Sequence, residues 1–296
     1  MKANAIVRIV LFSLAIIILA GILLGVLAFN MFVFDGKIRY DQMEAVEAPV
    51  AMIEQGEISA QIRNLEIEWA AGSITIQPDE NAQSIHITEY CPPDSGYEMV
   101  MKQSGQTLKI KFCEGFVTFP SFGIDIDISK DLIITVPADW VCNSIEIDAA
   151  ATEVGIHDLS IQELDFDGAS GNLILDNCSI VELDIDTASG DVEFTGTLKD
   201  LDFDAASAKF SGEFFQVPHH LNLDAMSGNV ELVLPEYSGF SLELDTMSGS
   251  FDSDFDFHTM GAHYECGDGA CKIKVSALSG DVEILKGISQ PKNCDH

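Results

Sequence analysis

LDIDTASGDVEF, residues 183–194, decides the fold. Leu183 and Ile185 alternate with Asp184 and Asp186, and after a Ser-Gly step Val192 and Phe194 alternate with Asp191 and Glu193. Alternation at period two marks a strand with one greasy face and one wet face. Gly190 can take a backbone angle that a β-branched residue cannot, so the step reads as a corner between two strands.

Aligned on that step, the unit recurs. The copies are LEIEWAAGSITI (65–76), IEIDAAATEVGI (145–156), LDFDGASGNLIL (164–175), LDIDTASGDVEF (183–194), LDFDAASAKFSG (201–212), LNLDAMSGNVEL (221–232), LELDTMSGSFDS (242–253) and IKVSALSGDVEI (273–284). From the second copy to the seventh, starts are separated by 19, 19, 18, 20 and 21 residues, and the eighth follows after 31. A fixed period near 20 is the mark of a solenoid, whose units bury their apolar faces only against neighbours. Two strands, a corner and a short return fill one coil, with about four apolar side chains turned inward. The residue before Ser-Gly (Ala169, Ala188, Ala206, Met226, Met247, Leu278) is expected to fill the inside of the bend.

Residues 77–144 have a different texture. SIHITEY, GYEMVMK, TLKIKFC and GIDIDISKDLIITVP read as strands joined at PPDSG and QSGQ, forming a meander or wider coils that cap the stack. At the front, Ile9 to Phe29 is a run of 21 residues without charge, enough for a hydrocarbon core of about 30 Å. Val26-Leu27-Ala28 would serve as a cleavage site if the segment were a signal peptide, but its length favours an uncleaved anchor. Lys2 and Arg8 before the span lean the N-terminus towards the cytoplasm and the remainder outward. The chain reads as an all-β, single-stack, β-helix-like solenoid of ~20-residue coils behind one transmembrane helix. Its parts are a membrane anchor (1–34), a juxtamembrane stalk (35–60), an N-terminal β region or cap (61–144), the repeat solenoid (145–288) and a tail (289–296).

Repeated SGDVE and SGNVE after apolar–acid strands, the N-terminal anchor and the VPAD step at 136–139 together resemble the bacterial "putative adhesin" domain of unknown function. That repeat domain also occurs in LiaX-like and YvlB-like envelope proteins. The resemblance spans roughly residues 60–286. It implies a β-solenoid at the cell envelope and brings no catalytic residues with it. Ala151-Thr152 and Ser207-Ala208 depart from the Ser-Gly step, so those corners are expected to differ.

The composition holds 48 Asp and Glu against 15 Lys and Arg, a formal charge of −33. Between residues 141 and 271 stand 27 acids and two bases, Lys199 and Lys209. Such a surface repels nucleic acid and anionic headgroups and attracts cations or basic partners. In stacked coils Asp224, Glu243 and Asp245 continue two outward ladders begun by Asp165, Asp167, Asp184, Asp186, Asp202 and Asp204. These are candidate calcium ligands, against the plainer reading of a solvated acidic face. Seven cysteines leave at least one unpaired. Cys266 and Cys271 flank what reads as a hairpin loop, and Cys91 and Cys113 end two strand-like segments that could neighbour each other, so both pairs are disulfide candidates. A metal held by His263, Cys266 and Cys271 is the alternative, without an evident fourth ligand. The acids repeat in register instead of standing as one pair in a cleft, His219-His220 reads as a turn, and no nucleophile triad or phosphate loop is present. The reading is therefore a non-catalytic binding, adhesion or envelope-stress module, working on an unknown envelope protein or glycan. The alternatives are a polysaccharide-active enzyme or a calcium-stabilised scaffold.

Overall fold

Period-two alternation yields strands throughout the computed structural model, which describes residues 44–49, 62–92, 97–114, 128–261 and 263–287. Among the described residues every regular element is a strand, and no helix there is long and apolar enough to cross a membrane. The expected anchor at 9–29, most of the stalk and the tail at 289–296 lie outside the described residues.

The coil that begins at Leu173 bends three times. In Leu173–Ser189 the buried residues are Leu173 and Leu175, then Cys178 and Ile180, then Leu183, Ile185 and Thr187. Two consecutive outward residues separate the groups, so period two slips by one step at each bend. Asn177 bends the backbone with φ 53°, and Asp158 does the same one coil earlier with φ 53°. Asn177 Nδ2 donates to Asp158 Oδ1 at 2.5 Å, tying the two bends together. The short return therefore adds its own inward pair, and a middle coil buries about seven side chains instead of about four.

Coils stack in parallel with matched register. Leu65 pairs with Ile145, Ile145 with Leu164, Leu164 with Leu183, Leu183 with Leu201 and Leu201 with Leu221. The order at both ends differs from the order in the chain. Leu221 pairs with Ile273, and Ile273 with Leu242, so the eighth copy lies between the sixth and the seventh. At the other end Leu65 also pairs with Leu108, and Ile74 pairs with Leu132. Strands Thr107–Lys111 and Lys130–Pro137 thus build a further coil outside the first copy. The 31-residue interval before the eighth copy is the length the chain needs to round the terminal coil and come back.

Antiparallel strands close both ends. Val100–Ser104 pairs with Thr107–Lys111, His86–Cys91 with Lys130–Pro137, and Glu44–Pro49 with His86–Cys91. At the far end His263–Cys266 pairs with the seventh copy and His258–Met260 with it in turn. A reversed strand breaks the parallel register that another chain would need to extend the stack. Phe251, Phe257 and Tyr264 close this end, with ring centroids 4.8–5.6 Å apart.

At the opposite end the lock is ionic. Lys130 and Glu89 are wholly buried and paired. The Lys130 ammonium also donates to the Phe112 carbonyl and, at 2.6 Å, to the Tyr97 carbonyl. It lies 4.0 Å from the Phe112 ring centroid and 4.8 Å from that of Trp69. Glu89 accepts from the Met99 amide at 3.1 Å, and Trp69 Nε1 donates to the Lys130 carbonyl at 3.2 Å. Burial pulls the Lys130 pKa down, opposed by the bond to Glu89. With three acceptors around it, the ammonium has lost water but no hydrogen bond.

The corner glycine is a steric requirement. Gly190 has φ 120°, and a Cβ there would lie 1.8 Å from the Gly171 carbonyl oxygen of the coil below. The same collision awaits a side chain at Gly171, Gly228, Gly280 and Gly249. Ala208 serves at the fifth copy because its φ is not positive. Of the residues expected to fill the bend, Ala169 is buried, whereas Met226, Leu278 and Met247 are 41, 49 and 81% exposed. The longer side chains do not fit inside and turn out.

Gly190→Ala is expected to cost about 3 kcal/mol in urea unfolding, and Ala208→Gly about 1 kcal/mol. Lys130→Met should cost about 3–5 kcal/mol by stranding Glu89, and adding Glu89→Leu should return much of that loss in a double-mutant cycle.

Candidate binding face

The outward residues of the first side of each coil stand in register and form two columns on one sheet face. The first runs Glu66, Glu146, Asp165, Asp184, Asp202, Asn222, Lys274, Glu243. The second runs Glu68, Asp148, Asp167, Asp186, Asp204, Asp224, Ser276, Asp245 by the same pairings. Neighbours in a column are about 4.8 Å apart at the backbone. Of the expected ladder residues, Asp165, Asp184 and Asp202 share one column, and Asp167, Asp186 and Asp204 share the other. Glu243 and Asp245 do not continue them from Asp224, because the eighth copy intervenes with Lys274 and Ser276.

Lysines flank the continuous acidic part of the columns. Lys109 pairs with Glu66, and Lys111 Nζ lies 2.7 Å from Glu68 Oε1. At the other end Lys274 Nζ lies 3.3 Å from Asp224 Oδ2. These partners were missed in the sequence, although a signal exists. Leu108-Lys109-Ile110-Lys111 has the alternation of Leu65-Glu66-Ile67-Glu68, and superposing them sets each lysine on a glutamate.

Between the lysines the carboxylates are uncompensated. Asp167 is pushed up to about 6, chiefly by burial against its neighbours and then by the charges of Asp165, Asp186, Asp148 and Asp184. Asp204 is likewise raised to about 6 by burial and then by Asp186, Asp224, Asp202 and Asp184. Burial followed by neighbouring acids also raises Asp148, Asp184, Asp186 and Glu146. Although these side chains reach solvent, each carboxyl is packed between two others, which raises the cost of its charge.

Among the described residues no three His, Cys, Asp or Glu side chains are grouped so as to hold a metal ion. The ladder acids project side by side from a sheet instead of converging on a point, so the expected calcium ligands do not assemble. The disulfide expectations are also corrected. Cys91, Cys113, Cys266 and Cys271 are buried free thiols, as are Cys142 and Cys178. Phe240 pairs with Cys266 on one side and with Cys271 on the other. An intervening strand separates these two Cα atoms by about 9.6 Å, beyond the reach of a disulfide. Residues 267–270 are a bridge across that strand and not a hairpin. Cys91 ends the strand His86–Cys91, whereas Cys113 lies two residues past the end of Thr107–Lys111; both are near the buried Lys130 and Glu89, and both are free thiols. Burial raises the Cys142 and Cys271 thiols to about 12, which leaves them un-ionised and inert.

A family model described as Toastrack DUF4097 matches residues 62–285. No curated protein matches the chain. Among solved structures, a "putative adhesin" from Bacteroides fragilis is 12% identical, with TM-score 0.44, covering 83% of this chain and 97% of that one. A "putative cell adhesion protein" from Clostridium sporogenes is also 12% identical, with TM-score 0.39, covering 83% of this chain and 100% of that one. A "putative lipid binding protein" from Parabacteroides distasonis is 11% identical, with TM-score 0.34 and coverages of 83% and 97%.

A carboxyl whose folded pKa is raised above its unfolded value contributes stability below the unfolded value, and that contribution is lost as pH rises through the folded one. For Asp167 and Asp204 that window runs from about pH 4 to about pH 6. The melting temperature should therefore be higher at pH 5 than at pH 7.5. Asp167→Asn with Asp204→Asn should raise it at pH 7.5 and flatten its pH dependence, as read by circular dichroism melts.

Proposed function

The chain belongs to the Toastrack DUF4097 family, and from that premise we propose that it is a non-catalytic binding module of the cell envelope. Residues 9–29 tether it to the membrane, the β domain lies outside, and the acidic face engages a cationic partner in an adhesive or stress-responsive contact. One observation carries the reading. Four successive coils, from the second copy to the fifth, present eight carboxylates in two columns with no base among them. A surface kept acidic at the cost of mutual repulsion is suited to a partner that relieves it.

Catalysis by a carboxylate pair asks for two acids whose environments differ. Here the raised pKa values of Asp148, Asp167, Asp186 and Asp204 share one cause and one geometry, coil after coil. Equivalent groups suit a contact made at many points.

The test uses the full chain in nanodiscs of phosphatidylcholine, titrated with poly-L-lysine as the cationic probe. Binding should weaken about tenfold between 50 and 300 mM salt. It should weaken by a similar factor when Asp165, Asp167, Asp184 and Asp186 are all changed to Asn. Equal binding by parent and variant would remove the acidic face from the function.

A further inference from the structure

The eighth copy breaks the acid rule. It carries Lys274 where six of the seven other copies carry Asp or Glu, and Lys272 stands just before it, where three of the seven carry an acid. Because this copy sits between the sixth and the seventh, its lysines have fixed neighbours. One row of the face reads His220, Lys272, Ser241, Glu265, and the next reads Asn222, Lys274, Glu243, His263. These eight residues line a groove of about 330 Å³, within the range that holds small ligands.

Its charges are only partly neutralised. Lys272 donates to Ser241 Oγ at 3.2 Å and to the Gly269 carbonyl at 2.7 Å, both neutral oxygens. Lys274 is committed to Asn222 Oδ1 at 3.0 Å and to Asp224 Oδ2 at 3.3 Å. Among the described residues Lys272, Glu243 and Glu265 form no ion pair within 4.0 Å. An ammonium with spare capacity therefore stands one strand from Glu243 and two strands from Glu265, or about 5–10 Å away at the backbone.

This arrangement selects a ligand. A bare anion drawn to Lys272 meets two carboxylates beside it, and a bare cation drawn to the carboxylates meets two lysines. A molecule with one acidic group and several hydroxyls satisfies both, because hydroxyls donate to carboxylates while the acidic group accepts from the ammonium. We infer that this groove binds an acidic sugar, its anionic group on Lys272 and its hydroxyls on Glu243 and Glu265. The inference rests on the reading of the domain as a binding module, and it adds a second site with the opposite charge preference.

The probes are cellobiouronic acid, neutral cellobiose and inorganic phosphate, each titrated calorimetrically into the full chain in phosphatidylcholine nanodiscs. The acidic disaccharide should bind saturably and more tightly than either cellobiose or phosphate. Lys272→Met should weaken it about tenfold, and Glu265→Gln should weaken it less, as expected for losing a charge-assisted hydrogen bond. Both positions are exposed, and unchanged melting temperatures will show that the variants fold. Absence of saturable binding by the acidic disaccharide overturns the inference, as does binding unchanged in Lys272→Met, or phosphate binding as tightly as the disaccharide. Retained poly-L-lysine binding in those cases leaves the acidic-face proposal standing, so the two fail separately.

Discussion

The parallel backbone ladder between coils sets almost everything else in this molecule. It fixes neighbours about 4.8 Å apart and forbids any slip, because a shift of one residue would turn the greasy side chains out and the acids in. Once the ladder is in place, every sequence position becomes a line along the stack. Leucine and isoleucine make lines that fuse into the core, such as Leu164, Leu183, Leu201 and Leu221, each at most 3% exposed. Glycine makes most of a line of corners and leaves no room there for a Cβ, Thr152 and Ala208 being the exceptions. Aspartate makes a line of like charges.

Those three lines pull against one another. Burial of seven or so side chains in a coil favours close stacking, and close stacking is what crowds the carboxylates. The chain answers at the ends and not in the middle: Lys109, Lys111 and Lys274 neutralise the last acids of the continuous part of the columns. The central coils keep their repulsion, which adds to burial in raising Asp167 and Asp204. A face of this kind is a strain on the fold and, on the function proposed, the means of recognition.

Strand, corner and inward side were legible in the residues because each depends on local pattern alone. Leu183-Asp184-Ile185-Asp186 can hardly be anything but one edge of a wet-faced sheet. Stacking order was not legible, and the reason is physical. The copies share one pattern, so the sixth fits against the eighth as well as against the seventh, and only the return path through residues 254–270 decides between them. The disulfide expectation at Cys266 and Cys271 failed for the same reason, since the strand at Phe240 that separates them lies 26 residues before one and 31 before the other in sequence. Lys130, next to Asp131, lies in a stretch read as strand, and nothing in the local pattern marks it as buried. Its burial depends on Glu89, 41 residues earlier, and on two rings brought over it by different coils. The acid columns were foreseen as lines of Asp, but their lysine ends require knowing that residues 107–111 form a coil.

The swapped order at both ends has a mechanical side. The first copy is held by one coil on its left and another on its right, and so is the eighth. Among the described residues the only tail strand that traction could peel away bond by bond, like a zip, is the short edge strand Glu44–Pro49, paired on one side with His86–Cys91; the first and eighth copies could not be peeled so. A tug entering near residue 62 must slide the first copy against two ladders together, and shearing many parallel bonds at once resists far more than unpicking them in turn. A protein that holds on to something outside while hanging from a membrane would gain its grip from that arrangement.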